Sequence, residues 1–524
     1  MANISFYGSH NSAVAVESNG EILTVIEVER FLSRKNAGYA QYLTAGTRRF
    51  LLKEILKYIE KEYGITEYEN CYYLNTDTIE NTEKVFYQDL IPAKKYIQSN
   101  HHFSHASCGF YQTNYNEALI VSFDGGGNDG FFNIYHAKNR NEIVLVDKYN
   151  LDLGFPYMSF GEFLGDIKKE HSLSIGNLVY SGKIMGLCSY GKTINEWLPH
   201  FEKYYRDKPD GLTYLNRIKI LGDNIGVEFN TNNRLTGQIA WNIAKTSQTA
   251  FENVFLEIIN PFLKKYENIP LILVGGCALN ILLNTKLRNE LNREVFIPPN
   301  PNDCGIASGM ILNHIRPETA IDLTYKGIKI LDEFNLMEYA ENKGVQELDF
   351  NELVNDLNDG KIVGVVRETS EHGPRALGNR SILCNPTFPD MKDILNSKVK
   401  NREWYRPFAP VCRLEDVSRY FDFEGESRWM SFCPTVKEEY RERLVSITHV
   451  DGTARVQTVT EKQNPWLYNL LTEFEKKSGI GVLLNTSFNV NGKPILSTYK
   501  DAIQVYDNTK IDRLVLDKYY FKKR

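Results

Sequence analysis

The sequence predicts an α/β protein in which one α/β subdomain is duplicated in the N-terminal part and a second α/β module follows. Two hairpin-plus-strand units recur, near residues 4–28 and 118–147, each with a polar turn between its first two strands. Helical periodicity follows each unit, and a fresh strand-and-helix pattern begins near Leu348. A chain of 524 residues is also too long for one ordinary core, so two or three domains are expected.

In the first unit, Ile4 to Tyr7 forms a strand, Gly8-Ser9-His10-Asn11 turns, and Ser12 to Val16 returns. Asn19-Gly20 is a strong hairpin signal before Glu21 to Val28. Ala45 to Tyr63 carries Leu51, Leu52, Ile55, Leu56 and Ile59 at helical spacing. In the second unit, Ala118 to Phe123 is a strand, 124–130 a glycine-rich turn, and strands follow at 131–135 and 142–147. Leu271 to Val274 reads as a short buried strand that runs through Gly275-Gly276 into a helix ending near Leu287. The segment from Pro301 to Gly305 likewise leads into a helix from Ile306 to His314. Further strands are expected at Ile362 to Arg367, Ser446 to Val450 and Gly481 to Leu484. The division is 1–320, a connector at 321–347, and 348–524. The two halves of a duplicated unit enclose a cleft, a common place for ligands.

The net charge of −5 argues against duplex nucleic acid, which needs a basic surface. Eight cysteines stand singly with no CxxC pair, as in a reducing compartment. With no leader and no apolar run of membrane-spanning length, the expectation is a cytoplasmic protein that contacts no membrane. A homodimer is the commonest assembly for such a chain.

Two constellations carry chemistry. His101 and His105 stand four apart in a segment that can be helical, so their imidazoles project together. Asp124, ending a strand, and Asp303, opening a helix, can add carboxylates. Singly, each reads as a core or capping group; together they read as ligands for Fe(II), Mn(II) or Zn(II). Gly125, Gly126, Gly275 and Gly276 allow backbone amides to approach a phosphate or adenosine, or simply make tight turns. The second constellation is basic. Arg375 and Arg380 lie in a small-residue loop, followed by Lys400, Arg402, Arg406 and Arg455, with Ser487 and Asn489 alternating later. Arginine forks match phosphate oxygens and lysine adds a point charge, whereas the bland reading is surface ion pairs.

At these residues the chain resembles the NodU/CmcH family of O-carbamoyltransferases, from Gly8-Ser9-His10 to about Leu514. The matches are the HxxxH at His101 and His105, Gly182-Lys183-Ile184-Met185-Gly186-Leu187, and Gly275 to Asn280. Gly373 to Ser381, Asp451 to Gln457, and the Lys-x-Arg and Ser-x-Asn pairs of YrdC-like domains complete them. The resemblance implies a duplicated actin/Hsp70-like (RNase H-type) carbamoyl-transfer domain and a YrdC-like domain that forms carbamoyl adenylate. ATP, with Mg(II), and carbamoyl phosphate would be co-substrates. The acceptor would be a hydroxyl on a sugar, an antibiotic or a hydroxymethylated nucleotide. It implies a metal, iron foremost, on His101, His105, Asp124 and Asp303. It also implies substrate contacts from Arg375, Lys400, Arg402, Arg406, Arg455, Ser487 and Asn489. Adenylate would meet Gly125, Gly126, Gly275, Gly276 and Asn280, with His10 and Lys35 as catalytic groups.

Two departures stand out: His10-Asn11-Ser12 replaces the His-Asp-Ser of many relatives, and Asn128 stands where they often carry Glu. With the 166–181 segment, these are the expected acceptor-side differences. Two alternatives stay open, threonylcarbamoyl transfer to tRNA and a non-catalytic actin-fold nucleotide-binding regulator.

Overall fold

The structure is a computed structural model and describes residues 2–38, 45–74, 82–168, 176–208 and 211–523. Of the 166–181 segment, residues 169–175 lie outside the described residues.

The first sheet is built from β1 (Ala2–Tyr7), β2 (Ala13–Ser18), β3 (Glu21–Glu27), β4 (Tyr68–Tyr73) and β5 (Ala93–Gln98), in the order β3-β2-β1-β4-β5. The second contains β6 (Ala118–Gly127), β7 (Gly130–Asn139), β8 (Glu142–Tyr149), β9 (Leu271–Val274) and β10 (Val295–Phe296), in the order β10-β9-β6-β7-β8. Read from its other edge, the second repeats the first. Each opens with an antiparallel meander and then adds two parallel strands. Each then closes with a helix, His101–Phe110 in one and Ile306–Ile315 in the other. Asn19 and Gly20 supply the positive φ values, 55° and 83°, that a two-residue hairpin needs.

The two closing helices touch backbone to backbone. A Cβ on Gly309 would lie 1.9 Å from the Ser104 carbonyl oxygen, so only glycine admits this approach. Gly309→Ala is therefore expected to cost about 1–3 kcal/mol through overpacking, read as a lower urea midpoint at unchanged slope.

The third sheet holds β11 (Val363–Val366), β12 (Arg380–Cys384), β13 (Ala409–Arg413), β14 (Gln457–Val459), β15 (Val482–Ser487), β16 (Arg513–Leu516) and β17 (Tyr519–Lys522). Its order is β14-β13-β15-β12-β11-β16-β17, mixed parallel and antiparallel. The 321–347 stretch ties the parts together: Lys326 O accepts from Val25 N at 2.6 Å, and Leu331 N donates to Ser497 O at 2.9 Å.

Two local expectations are corrected. Residues 446–450 are turns, with Ile447 and Thr448 both donating to Leu444 O. The alternating pattern there imitates a strand, but the segment pairs with none. Gly125 to Gly127 belong to an irregular end of β6, and the turn shrinks to Asn128-Asp129. Among the described residues, no helix is long and apolar enough to cross a membrane.

Candidate active site

The duplication explains where the polar residues meet. His10 follows the first strand of unit one, and Asp124 follows Phe123, the last regularly paired residue of the matching strand of unit two. His101 and Asp303 open the two closing helical segments, so equivalent ends of the two units converge.

The convergence is tight and buried. His105 Nε2 lies 3.2 Å from His101 Nε2, 3.4 Å from Asp124 Oδ2 and 3.5 Å from Asp303 Oδ1. His101 Nε2 lies 3.7 Å from Asp303 Oδ1. Four ligands around an ion with bonds near 2.1 Å stand about 3.4 Å apart; the separations above are near that, and the whole set lies within 4.8 Å, a looser group that a divalent cation would draw together. His105 Nδ1 is buried without a hydrogen-bond partner, leaving Nε2 to anchor the ring within the cluster. The carboxylates are themselves held. Asp124 accepts from the backbone N–H groups of Gly125 and Gly276, each at 2.6 Å. Asp303 Oδ2 accepts from Tyr7 Oη at 2.5 Å and sits 3.2 Å from His10 Nδ1. Burial pulls His101 down. Burial opposes charge on His105 too, but the hydrogen bonds and charges of Asp124 and Asp303 outweigh it and push that imidazole up to about 9. His102 stays out of the cluster, bonded to Ser122 Oγ and Gly130 O.

Asn128 has a different place from the one expected. Its Oδ1 accepts from His101 N at 2.9 Å, and Asp129 Oδ1 does the same for His102 N. The β6–β7 turn thus caps the helix that carries the histidines. Asn11 does line the cavity described below and bonds Asn36 Oδ1 at 3.3 Å.

The cationic cluster is the chemical opposite. Burial, then Arg406, pushes Arg375 down to about 10. Arg455 is lowered by burial and by Arg375 and Arg406; Arg402 by burial, Arg406 and Arg455. Lys400 is lowered by burial, Arg402, Arg406 and Lys35. Buried cations that depress one another gain most from a polyanion placed among them. Lys400 Nζ donates to Ser487 O, to Asn489 Oδ1 at 2.7 Å and to Asn489 O at 3.0 Å, fixing the chain end of β15. Arg402 is already occupied, donating to Asn396 Oδ1 at 2.7 Å and Pro407 O at 3.2 Å. Arg380 is wholly buried on the Glu368 and Asn379 carbonyls, a structural use of the charge.

One cavity of about 370 Å³ joins the two clusters. His10, Lys35, Asp124 and Asp303 line it from the N-terminal part, and Arg375, Arg406, Ser487 and Asn489 from the C-terminal part. Gly125, Gly276 and Asn280 also line it; Gly126, Gly275, His101, His105, Lys400, Arg402 and Arg455 do not. Gly275, at φ 93°, is required by packing: a Cβ would stand 2.1 Å from Phe123 O. Asn280 caps the following helix through Leu283 N and bonds Gln248, so it is held as well as presented.

Several site residues are invisible to motif reading. Tyr7 is the last residue of an ordinary strand, and Glu27 and Arg30 look like surface charges. In fact Glu27 Oε1 accepts from Gly373 N at 2.9 Å and pairs with Arg30 at 2.8 Å, clamping the loop that delivers Arg375. Glu371, beside that loop, accepts from the N–H groups of Leu377, Asn379 and Arg380.

Two clusters of opposite character thus border one partly open volume. Residues 68–312 match the carbamoyltransferase N-terminus family and 354–523 the carbamoyltransferase C-terminus family. The nodulation protein NolO of Bradyrhizobium diazoefficiens is 32% identical over 451 residues, covering 81% of this chain and 79% of that protein. The nodulation protein NolNO of Sinorhizobium fredii is 32% identical over 450 residues, and the chain spans 64% of its length. The 3'-hydroxymethylcephem-O-carbamoyltransferase of Streptomyces clavuligerus is 37% identical over 263 residues, 49% of each chain. The chain belongs to the carbamoyltransferase family.

Proposed function

We propose that the C-terminal module makes carbamoyl adenylate from ATP and carbamoyl phosphate, and that the N-terminal module moves the carbamoyl group onto an acceptor hydroxyl. The observation that carries this reading is the single cavity lined by residues of both clusters. An actin/Hsp70-type duplicated fold for the first part and a YrdC-like fold for the second accord with it.

Water splits carbamoyl phosphate into carbamate and orthophosphate; a carbamate oxygen attacks the α-phosphorus of ATP, and pyrophosphate departs with the bonding pair. The acceptor oxygen then attacks the carbamoyl carbon, its proton goes to a protein base, and AMP leaves. Arg375, Arg406 and Arg455 hold phosphate charge, while Lys400 fixes Ser487 and Asn489 against it. Arg402 contributes through the cluster's field and not by contact. Mg(II) accompanies the nucleotide. The backbone at Gly125, Gly126, Gly275 and Gly276, with Asn280, shapes the adenylate's berth.

In the transfer step His10, engaged at Nδ1 by Asp303, takes the acceptor proton at Nε2, and Lys35 balances charge on the carbamoyl oxygen. His101, His105, Asp124 and Asp303 would hold a divalent ion, Fe(II) in preference to Mn(II) or Zn(II). Bound there, it supplies Lewis-acid stabilisation of developing negative charge. The acceptor is a small molecule with a free hydroxyl, a sugar, an antibiotic or a hydroxymethylated nucleotide, and a reducing cytoplasm suits the eight free cysteines.

Incubation with ATP and carbamoyl phosphate should release pyrophosphate and yield carbamoyl adenylate by mass, with neither formed when one substrate is left out. Pyrophosphate release that ignores carbamoyl phosphate contradicts the reading.

A further inference from the structure

The Gly182 to Leu187 motif has no part in the chemistry above, yet its lysine occupies a distinctive place. Lys183 lies on the helix Tyr180–Leu187 and lines the cavity. Its Nζ stands 2.9 Å from Glu403 Oε1, with side chains only 2% and 1% exposed. The same Nζ donates to Lys168 O at 3.2 Å, and Lys168 N donates back to Glu403 Oε1 at 3.2 Å. Glu403 Oε2 makes no hydrogen bond and lies 3.7 Å from Arg406 NH1, whose residue also lines the cavity. One buried carboxylate therefore holds a cation from each module, both at the wall of the shared volume.

The seam around it is aromatic. The rings of Tyr190 and Trp404 are 5.1 Å apart, and a Cβ on Gly186 would meet Tyr405 Cε2 at 3.6 Å. Buried ion pairs seldom stabilise more than apolar residues of the same shape. Apolar packing would close this seam equally well, but it would leave no cationic heads along an anion's path. Despite burial, Lys183 and Arg406 keep the Glu403 carboxyl below its ordinary range, so it stays charged.

We propose that Glu403 is a positioning residue: it clasps Lys183 and Arg406 across the module seam, so that carbamoyl adenylate stays inside while it passes from one cluster to the other. The inference rests on the two-step reaction proposed above and adds to it the retention of the intermediate.

The test uses the full chain with ATP and labelled carbamoyl phosphate, followed by rapid ultrafiltration. In Lys183→Met, pyrophosphate release is expected to stay within about threefold of the unaltered protein, and in Glu403→Gln, which also frees the phosphate contact Arg406, to fall without being lost. Carbamoyl adenylate in the filtrate, per pyrophosphate, is expected to rise about tenfold or more. Lys183→Arg, which keeps the charge, should restore retention; a purely structural role would not move this ratio. Adenylate retained as in the unaltered protein overturns the proposal, and so does pyrophosphate release lost in a variant with an unchanged melting curve. If Glu403→Gln fails to fold, Lys183→Met decides by the same ratio. Absence of pyrophosphate from the unaltered protein is a different result, and it refutes the underlying two-step reading.

Discussion

Lys400→Ala is expected to lower carbamoyl adenylate formation about 100-fold or more, measured as pyrophosphate released on mixing with ATP and carbamoyl phosphate. The lysine acts twice. Its charge belongs to the half-buried cluster with Arg402 and Arg406, and its Nζ ties the Ser487 and Asn489 oxygens together. Removing it weakens the field on the phosphates and frees the segment that brings Ser487 and Asn489 to the cavity. Ser487 Oγ would still bond Asn489 Oδ1, at 2.7 Å, so the strand end should persist while its placement loosens. Metal content should not change, because none of the four cluster ligands touches Lys400. A variant that still makes adenylate at the normal rate would remove the C-terminal module from the first step.

His105→Ala should have the reverse effect. The imidazole is the hub of its cluster, within 3.5 Å of His101, Asp124 and Asp303 alike. Without it, bound metal is expected to fall from about one per chain to none, read by elemental analysis. Pyrophosphate release should stay within about threefold, since the adenylate-forming groups sit on other elements. Carbamoylation of a panel of sugars, hydroxymethylcephems and hydroxymethylated nucleosides, scored by mass gain, should disappear. Both steps failing together would mean that the clusters do not divide the work.

How much of this was legible differs from element to element. Short-range rules worked where the chain is its own context. Asn19-Gly20 forces a hairpin, and histidines four apart share a helix face whatever surrounds them. The repeated strand–turn–strand units foretold a duplication, and sheet order then shows why His10 and Asp124, and His101 and Asp303, converge. Long-range pairing was the blind spot. Tyr7, 296 residues from its partner Asp303, carries no local mark of its role. Glu27 reaches Gly373 across 346 residues, and Lys183 meets Glu403 only because two modules close on each other. Basic residues showed the limit of counting charges. Arg375 faces the cavity, whereas Arg380 and Arg402 satisfy backbone and amide oxygens nearby, and composition cannot separate these fates. Residues 446–450 show the same limit for strands: an alternating pattern needs a partner edge, and none passes there.

The two-step reaction requires one shared route between the two clusters. Its most direct test is a crystal structure of the protein with ATP and carbamoyl phosphate added, collected at wavelengths that identify bound metals. The account predicts an anomalous peak among His101, His105, Asp124 and Asp303, and an adenylate whose phosphate lies inside the cavity shared with Arg375. Nucleotide bound outside that cavity, with the two imidazoles hydrogen-bonded to each other and no ion between them, would contradict it.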